Sequence, residues 1–314
     1  MSAGRAIGLL LGLAADGVID PRNGRPVARF TRAAGELERR LGTDRPLAGV
    51  AFAGGLAGAA VLVGVLTERA GRRSPVMQAL GTAVTTWAVL GGAGLVSDGT
   101  ELARDLEDGE LAAARRTLSQ LDPRVPDSLD AVALSRASVE TLAENTTDAV
   151  VAPLIWGAVA GVPGLLGSRA ISVLRGVTRG KPAPYRWFIA RADDLVHLVP
   201  TRIAALLTVA GAPVVGGSAQ GAWRAWRRDT IAHPSPNAGR VEAAFAGALE
   251  IRLGGRTVYS HGVEELPVIG IGRNPDAGHV TRAVELSRVV GWLAGVTSVI
   301  LASLAGLRRR RRSR

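Results

Sequence analysis

The chain has no cysteine. That absence excludes a disulfide framework, a thiolate zinc site and a cysteine nucleophile together. Lysine is nearly missing too: Lys181 is the only one, so the formal charge of +11 is carried by arginine. Aromatic residues make up 4%, and the arginines are scattered through polar stretches without the interleaved rings of a single-strand nucleic-acid surface. No Gly-Lys-Ser or Gly-Lys-Thr follows a glycine-rich turn, so there is no P-loop. These absences point away from nucleic acid and toward membrane lipid and phosphorylated substrates as partners.

Charge is also missing over long distances. Residues 47–66, 74–97, 149–168, 203–223 and 289–307 each run without a formally charged side chain. A helix crossing the hydrocarbon core needs about 20 largely apolar residues, so the pattern predicts an all-α, polytopic integral membrane bundle with polar helical loops. Gly54, Gly55, Gly58 and Gly64 are expected to let helix backbones approach closely. Pro153, Pro163 and Pro213 are expected to kink or break the third and fourth blocks, which then dip into the membrane without crossing it. Five full crossings would also leave arginine-rich segments on both faces, against the positive-inside rule, so one block is expected not to cross. The stretch 6–15 after Arg5 reads either as a secretory signal or as a retained first helix too short to span. The run Arg308 to Arg312, with Arg314, follows an apolar block and suits a cytoplasmic stop beside anionic lipid.

The polar stretches between the blocks hold the candidate chemistry. Arg136, Glu140, Glu144 and Asp148 recur at i, i+4 spacing and so share a helix face running into the third block. Carboxylates one turn apart repel, which calls either for a cation such as Mg2+ or for a solvated face that ends at the bilayer. Asn145 and Thr146 add oxygen ligands beside them. Arg228, Asp229 and His233 lead into Pro234, Ser235, Pro236, Asn237, Ala238 and Gly239, a stiff loop suited to orienting a phosphate or a transferring proton, or else a helix-breaking linker. Arg191, Asp193 and Asp194 precede the fourth block, with His197 one turn on, as a metal or salt-bridge cluster. Asp16 and Asp20 read as charge pairing at the interface, and His261 and His279 as isolated loop residues.

Taken together, these segments resemble the CobD/CbiB family, the adenosylcobinamide-phosphate synthases. The resemblance rests first on Val139-Glu140-Thr141-Leu142-Ala143-Glu144-Asn145-Thr146-Thr147-Asp148 with Ala152-Pro153-Leu154. Equally specific are Arg228-Asp229 through His233-Pro234-Ser235-Pro236-Asn237-Ala238-Gly239 and the following Glu242-Ala243-Ala244. It covers almost the whole chain and implies a single membrane domain over residues 1–314, in the cell membrane.

The resemblance implies an ATP-dependent amide ligase that joins adenosylcobyric acid to an aminoalcohol phosphate, typically aminopropanol phosphate. Carried onto these residues, the catalytic set is Glu140, Glu144, Asp148 and His233, with His233 taking the proton of the attacking ammonium. Arg191 and Arg228 clamp phosphates, and Asp229, Ser235, Asn237 and Asn145 complete the substrate contacts. Glu144, Asp148, Asp193 and Asp194 are the expected ligands of Mg2+ on ATP. Contacts with other corrinoid-pathway enzymes are a further expectation. The chain departs from the family where many relatives read Asn-Thr-Leu-Asp: here Ser172-Val173-Leu174-Arg175 reverses a charge, and His197 replaces an Asn. These departures keep two alternatives in view. One is a non-catalytic paralogue binding corrinoid or nucleotide, and the other is a transporter or other membrane protein.

Overall fold

A computed structural model describes residues 2–19, 26–41, 45–122, 124–230, 235, 237–259 and 262–312. The fold is helical and polytopic. Among the described residues, the helices are α1 (Ser2–Val18), α2 (Pro26–Leu41), α3 (Pro46–Gly71), α4 (Pro75–Val89), α5 (Gly92–Glu107), α6 (Leu111–Leu121), α7 (Ala131–Thr146), α8 (Ala152–Ala160), α9 (Val162–Val177), α10 (Ala183–Gly211), α11 (Ala219–Asp229), α12 (Ala238–Leu249) and α13 (Ala277–Arg312). Two antiparallel strands, β1 (Leu253–Tyr259) and β2 (Gly262–Ile269), form a hairpin that the apolar pattern does not announce. Local chemistry fixes several starts. Ser74 accepts the Met77 N–H with Pro75 following, Asp130 accepts the Ala133 N–H, and Ser218 accepts the Gly221 N–H.

Among the described residues, four stretches are long and apolar enough to cross a bilayer: Pro46–Gly71, Pro75–Glu107, Ala183–Val215 and Ala277–Ala305. The third apolar block is absent from this set, as the prolines led us to expect. It breaks at Gly161, whose φ of +74° suits glycine, into α8 and α9. The fourth block differs from expectation. Its helix starts at Ala183, not near 203, and runs through Pro200 without ending. Asp193, Asp194 and His197 therefore lie inside a bilayer-length helix instead of ahead of it, where pairing with nearby cations makes their burial tolerable.

Contacts divide the chain into two compact units, one of Met1–Ala93, Asp148–Pro200 and Ala294–Arg314, the other of Gly94–Thr147 and Thr201–Leu293. In the first, α1 lies along α4 and α3 along α9. The close approach of α1 comes from Gly4, Gly8 and Gly12, which rest on Gln78, Thr82 and Thr86 of α4. Of the glycines expected to do this in α3, Gly64 packs on Pro163, whereas Gly55 and Gly58 have nothing within 4 Å. Ala34, Phe52, Ala53, Leu174 and Ile189 form a core joining α2, α3, α9 and α10. The break between α8 and α9 is satisfied by an ion pair: Arg5 donates to Glu68 at 2.7 Å and to the Ala158 carbonyl at 3.4 Å, and Glu68 accepts the Val162 N–H at 3.0 Å.

In the second unit α12 is the buried centre, packed by α11 and α7, and every residue from Val241 to Leu249 is buried. The hairpin docks on α7. Val125 donates its N–H to the Val258 carbonyl at 3.0 Å, which extends β1, and Arg136 reaches the Arg256 carbonyl at 2.8 Å.

Candidate functional site

Each unit holds a charged cluster built on residues of the acidic α7 motif. In the second unit the segment before α7 places Arg124 against Asp122 at 2.9 Å and against Glu140 in a shorter contact. Glu140 is 2% exposed, and its other oxygen accepts the Gly254 N–H at 2.6 Å. Gly254 can present that N–H because the register shifts between Leu253 and Gly255 and its φ is +84°. Burial disfavours the Arg124 charge, but Glu140 and Asp122 outweigh burial and hold the guanidinium above its ordinary pKa. Glu242 of α12 is buried facing Glu140 and Glu144, and burial followed by these two carboxylates raises its carboxyl well above the ordinary value. Glu144 and Asn145 keep accessible surface at the end of α7.

Both Glu140 oxygens are thus engaged, one by Arg124 and the other by the Gly254 N–H. Arg136 bonds the hairpin instead of the acidic face. Thr146, expected as an oxygen ligand, is fully buried and bonds the Leu142 carbonyl at 2.6 Å and the Ser287 hydroxyl at 2.5 Å.

The stiff loop before α12 is described at Ser235 and Asn237, while His233 lies outside the described residues. Ser235 accepts the Ala238 N–H at 3.2 Å, and buried Asn237 accepts from Thr201 at 3.5 Å. Arg228 grips its neighbour Asp229 through two bonds of 2.5 and 2.8 Å, and Asp229 also accepts the Gly270 N–H at 2.8 Å. Burial alone would raise Asp229, but Arg228 and the Gly270 N–H hold its carboxyl below the usual range. Sequence reasoning missed Arg240, which follows Asn237 by three residues. Burial and then the charge of Arg202 lower its pKa, an electrostatic coupling of two guanidiniums. Such a pair suits a phosphate.

In the first unit Asp148 falls in a π turn, Thr147–Val151, after α7 has ended. It faces His197 at 3.3 Å, and its main-chain oxygen accepts from Arg169 at 3.2 Å. His197, 2% exposed, also contacts Asp193 at 3.1 Å and Ser172 at 3.3 Å. Arg175 donates to Asp193 at 2.9 Å and lies 3.6 Å from Asp194, which Arg191 meets at 2.9 Å. Three family departures, Ser172, Arg175 and His197, therefore fall in one cluster.

Of the residues expected to bind Mg2+, Asp148, Asp193 and Asp194 face Arg175, Arg191 and His197. Among the described residues, no group of three or more acidic or histidine side chains has metal-holding geometry. Arg191 is likewise committed to Asp194.

The family described as CobD/Cbib protein matches residues 9–287. A cobalamin biosynthesis protein CobD of Mycobacterium tuberculosis is 48% identical over 302 residues, covering 95% of this chain and 96% of that protein. Proteins of the same name from Rhodobacter capsulatus and Chromobacterium violaceum are 33% and 31% identical, over 94% and 91% of this chain and 94% and 93% of their own lengths. No solved structure matches. The buried Glu140, the acidic end of α7, and Ser235 and Asn237 before α12 are thus features of a chain that belongs to the CobD/CbiB family.

Proposed function

We propose that the chain acts in cobalamin biosynthesis as an ATP-dependent amide ligase of the cell membrane, joining adenosylcobyric acid to an aminoalcohol phosphate such as aminopropanol phosphate. The observation that carries the reading is the chemistry gathered on α12. The Arg240 guanidinium is coupled electrostatically to that of Arg202, and two residues on, the Glu242 carboxyl is coupled to that of Glu144. α12 thereby contributes one guanidinium beside that of α10 for a phosphate and one carboxyl beside that of α7 for a proton.

A carboxylate is a poor electrophile and needs activation before an amine displaces its oxygen. In the proposed reaction a carboxylate oxygen attacks a phosphorus of ATP, forming a mixed anhydride and releasing ADP or diphosphate. The amine nitrogen then forms the C–N bond, its proton passes to a base, and the C–O bond breaks to release phosphate or AMP. Mg2+ enters on the nucleotide as part of that substrate. Arg202 and Arg240 hold the aminoalcohol phosphate, with Asn237 and Asn145 as neutral donors. Half-exposed Glu144 takes the ammonium proton, and His233 is the second candidate for that base.

Substrate labelled with 18O in its carboxylate tests the reading. One label appearing in phosphate or in AMP supports the anhydride and identifies the leaving group, whereas label retained wholly in corrinoid contradicts it. The Arg175 pairing with Asp193 and Asp194 favours the second reading, a non-catalytic paralogue that binds corrinoid or nucleotide. That reading predicts binding with no label transfer.

A further inference from the structure

The unit that carries Asp148 also contains a cavity of about 300 Å3 between α2, α3, α4 and α9. Its walls include Val27 and Phe30 of α2, Leu56 and Val63 of α3, and Arg169 and Val173 of α9. Arg169 is the single polar residue of the lining. α3 is one of the bilayer-length helices. α2 has the makings of an interfacial helix: Ala34 and Glu38 are buried, Val27 and Phe30 turn inward, and Arg29 and Arg32 are exposed. An apolar hollow walled by a membrane span and roofed by an amphipathic helix is open to lipid and unfavourable to water.

Arg169 lines this wall and is half-buried. The protein does not exhaust its donors. Nη1 bonds the Asp148 main-chain oxygen, and Nε has no acceptor.

We propose that this cavity holds one acyl chain of a bilayer phospholipid, with an oxygen of the same lipid accepting from Arg169 and an anionic headgroup preferred. A hollow of about 300 Å3 has room for part of one chain. The site is separate from the α12 chemistry and stands whether or not the ligase reading does.

The test uses full-length protein reconstituted in nanodiscs of equal phosphatidylglycerol and phosphatidylcholine, then released and weighed by native mass spectrometry. Wild type is expected to retain one phospholipid, with phosphatidylglycerol favoured about fivefold, the factor that corresponds to roughly 1 kcal/mol for one basic side chain near an anionic headgroup. Ala60→Trp fills the cavity from α3 and is expected to abolish the adduct. Val173→Trp fills it from α9 and serves if the first variant does not fold. Wild type without an adduct, or an adduct unchanged in either folded variant, would overturn the site. Equal retention of the two headgroups would overturn the role of Arg169.

Discussion

The Glu140 carboxylate accepts the Gly254 N–H at 2.6 Å and so ties α7 to the bulge that opens β1. Its other oxygen meets Arg124, which has Asp122 as its second partner. Glu140→Gln keeps an acceptor for Gly254 but leaves a buried guanidinium with one carboxylate. Breaking a buried pair in this way costs about 3–5 kcal/mol. The thermal midpoint of the purified variant is expected to fall, with activity falling in step. A variant of unchanged stability and no turnover would make Glu140 a reacting group.

Glu242 makes the opposite prediction. Burial, followed by Glu140 and Glu144, raises its folded pKa above the ordinary 4.5. The folded state therefore binds a proton that the unfolded state releases first. Stability attributable to this group falls as pH rises from about 4.5 through the raised folded pKa. Glu242→Gln mimics the protonated acid, so the variant is expected to gain on wild type as pH increases across that window. Parallel melting curves against pH for the two proteins would contradict a raised carboxyl.

Arg175 stands where the acidic corner of α10 would otherwise need a foreign cation. Its side chain is about a third accessible, so screening limits its contribution to about 1 kcal/mol. Arg175→Asn is expected to lower the midpoint by about 2–4 °C and to make it rise again with millimolar Mg2+. Wild type is expected to show no such Mg2+ response. Equal responses in the two proteins would place a metal at Asp193 and Asp194 alongside the arginine.

The glycines separate packing from mere composition. Gly8→Leu inserts a side chain where α1 rests on Thr82 and is expected to cost about 1–3 kcal/mol or more. Gly58→Leu, with nothing within 4 Å, is expected to melt like wild type. Equal losses would refute the assigned interface.

Much of the architecture was legible because a run of about 20 uncharged residues suits a bilayer crossing far better than a helix with one face in water. The break at Gly161 was legible from Pro163 and its neighbours. The start of α10 was not, because Arg191, Asp193 and Asp194 read as loop residues until Arg175, eighteen positions before Asp193, is seen to neutralise them. Spacing put Glu140, Glu144 and Asp148 on one face. The π turn and the partners Arg124 and His197 then give them three different environments. Arg124 itself left no local signal, since Glu140 is sixteen residues away. The family motifs located α12 and the α7 terminus, but the coupling of Arg240 to Arg202 and of Glu242 to Glu144 is tertiary and appears only with the fold.

The central claim is tested most directly by incubating the purified full-length protein with ATP, Mg2+, adenosylcobyric acid and aminopropanol phosphate, with the products read by mass spectrometry. The account predicts an ATP-dependent conjugate of the amide's mass, strongly reduced in Glu144→Gln. No conjugate, under conditions where another CobD/CbiB protein forms it, would contradict the ligase and favour a binding paralogue.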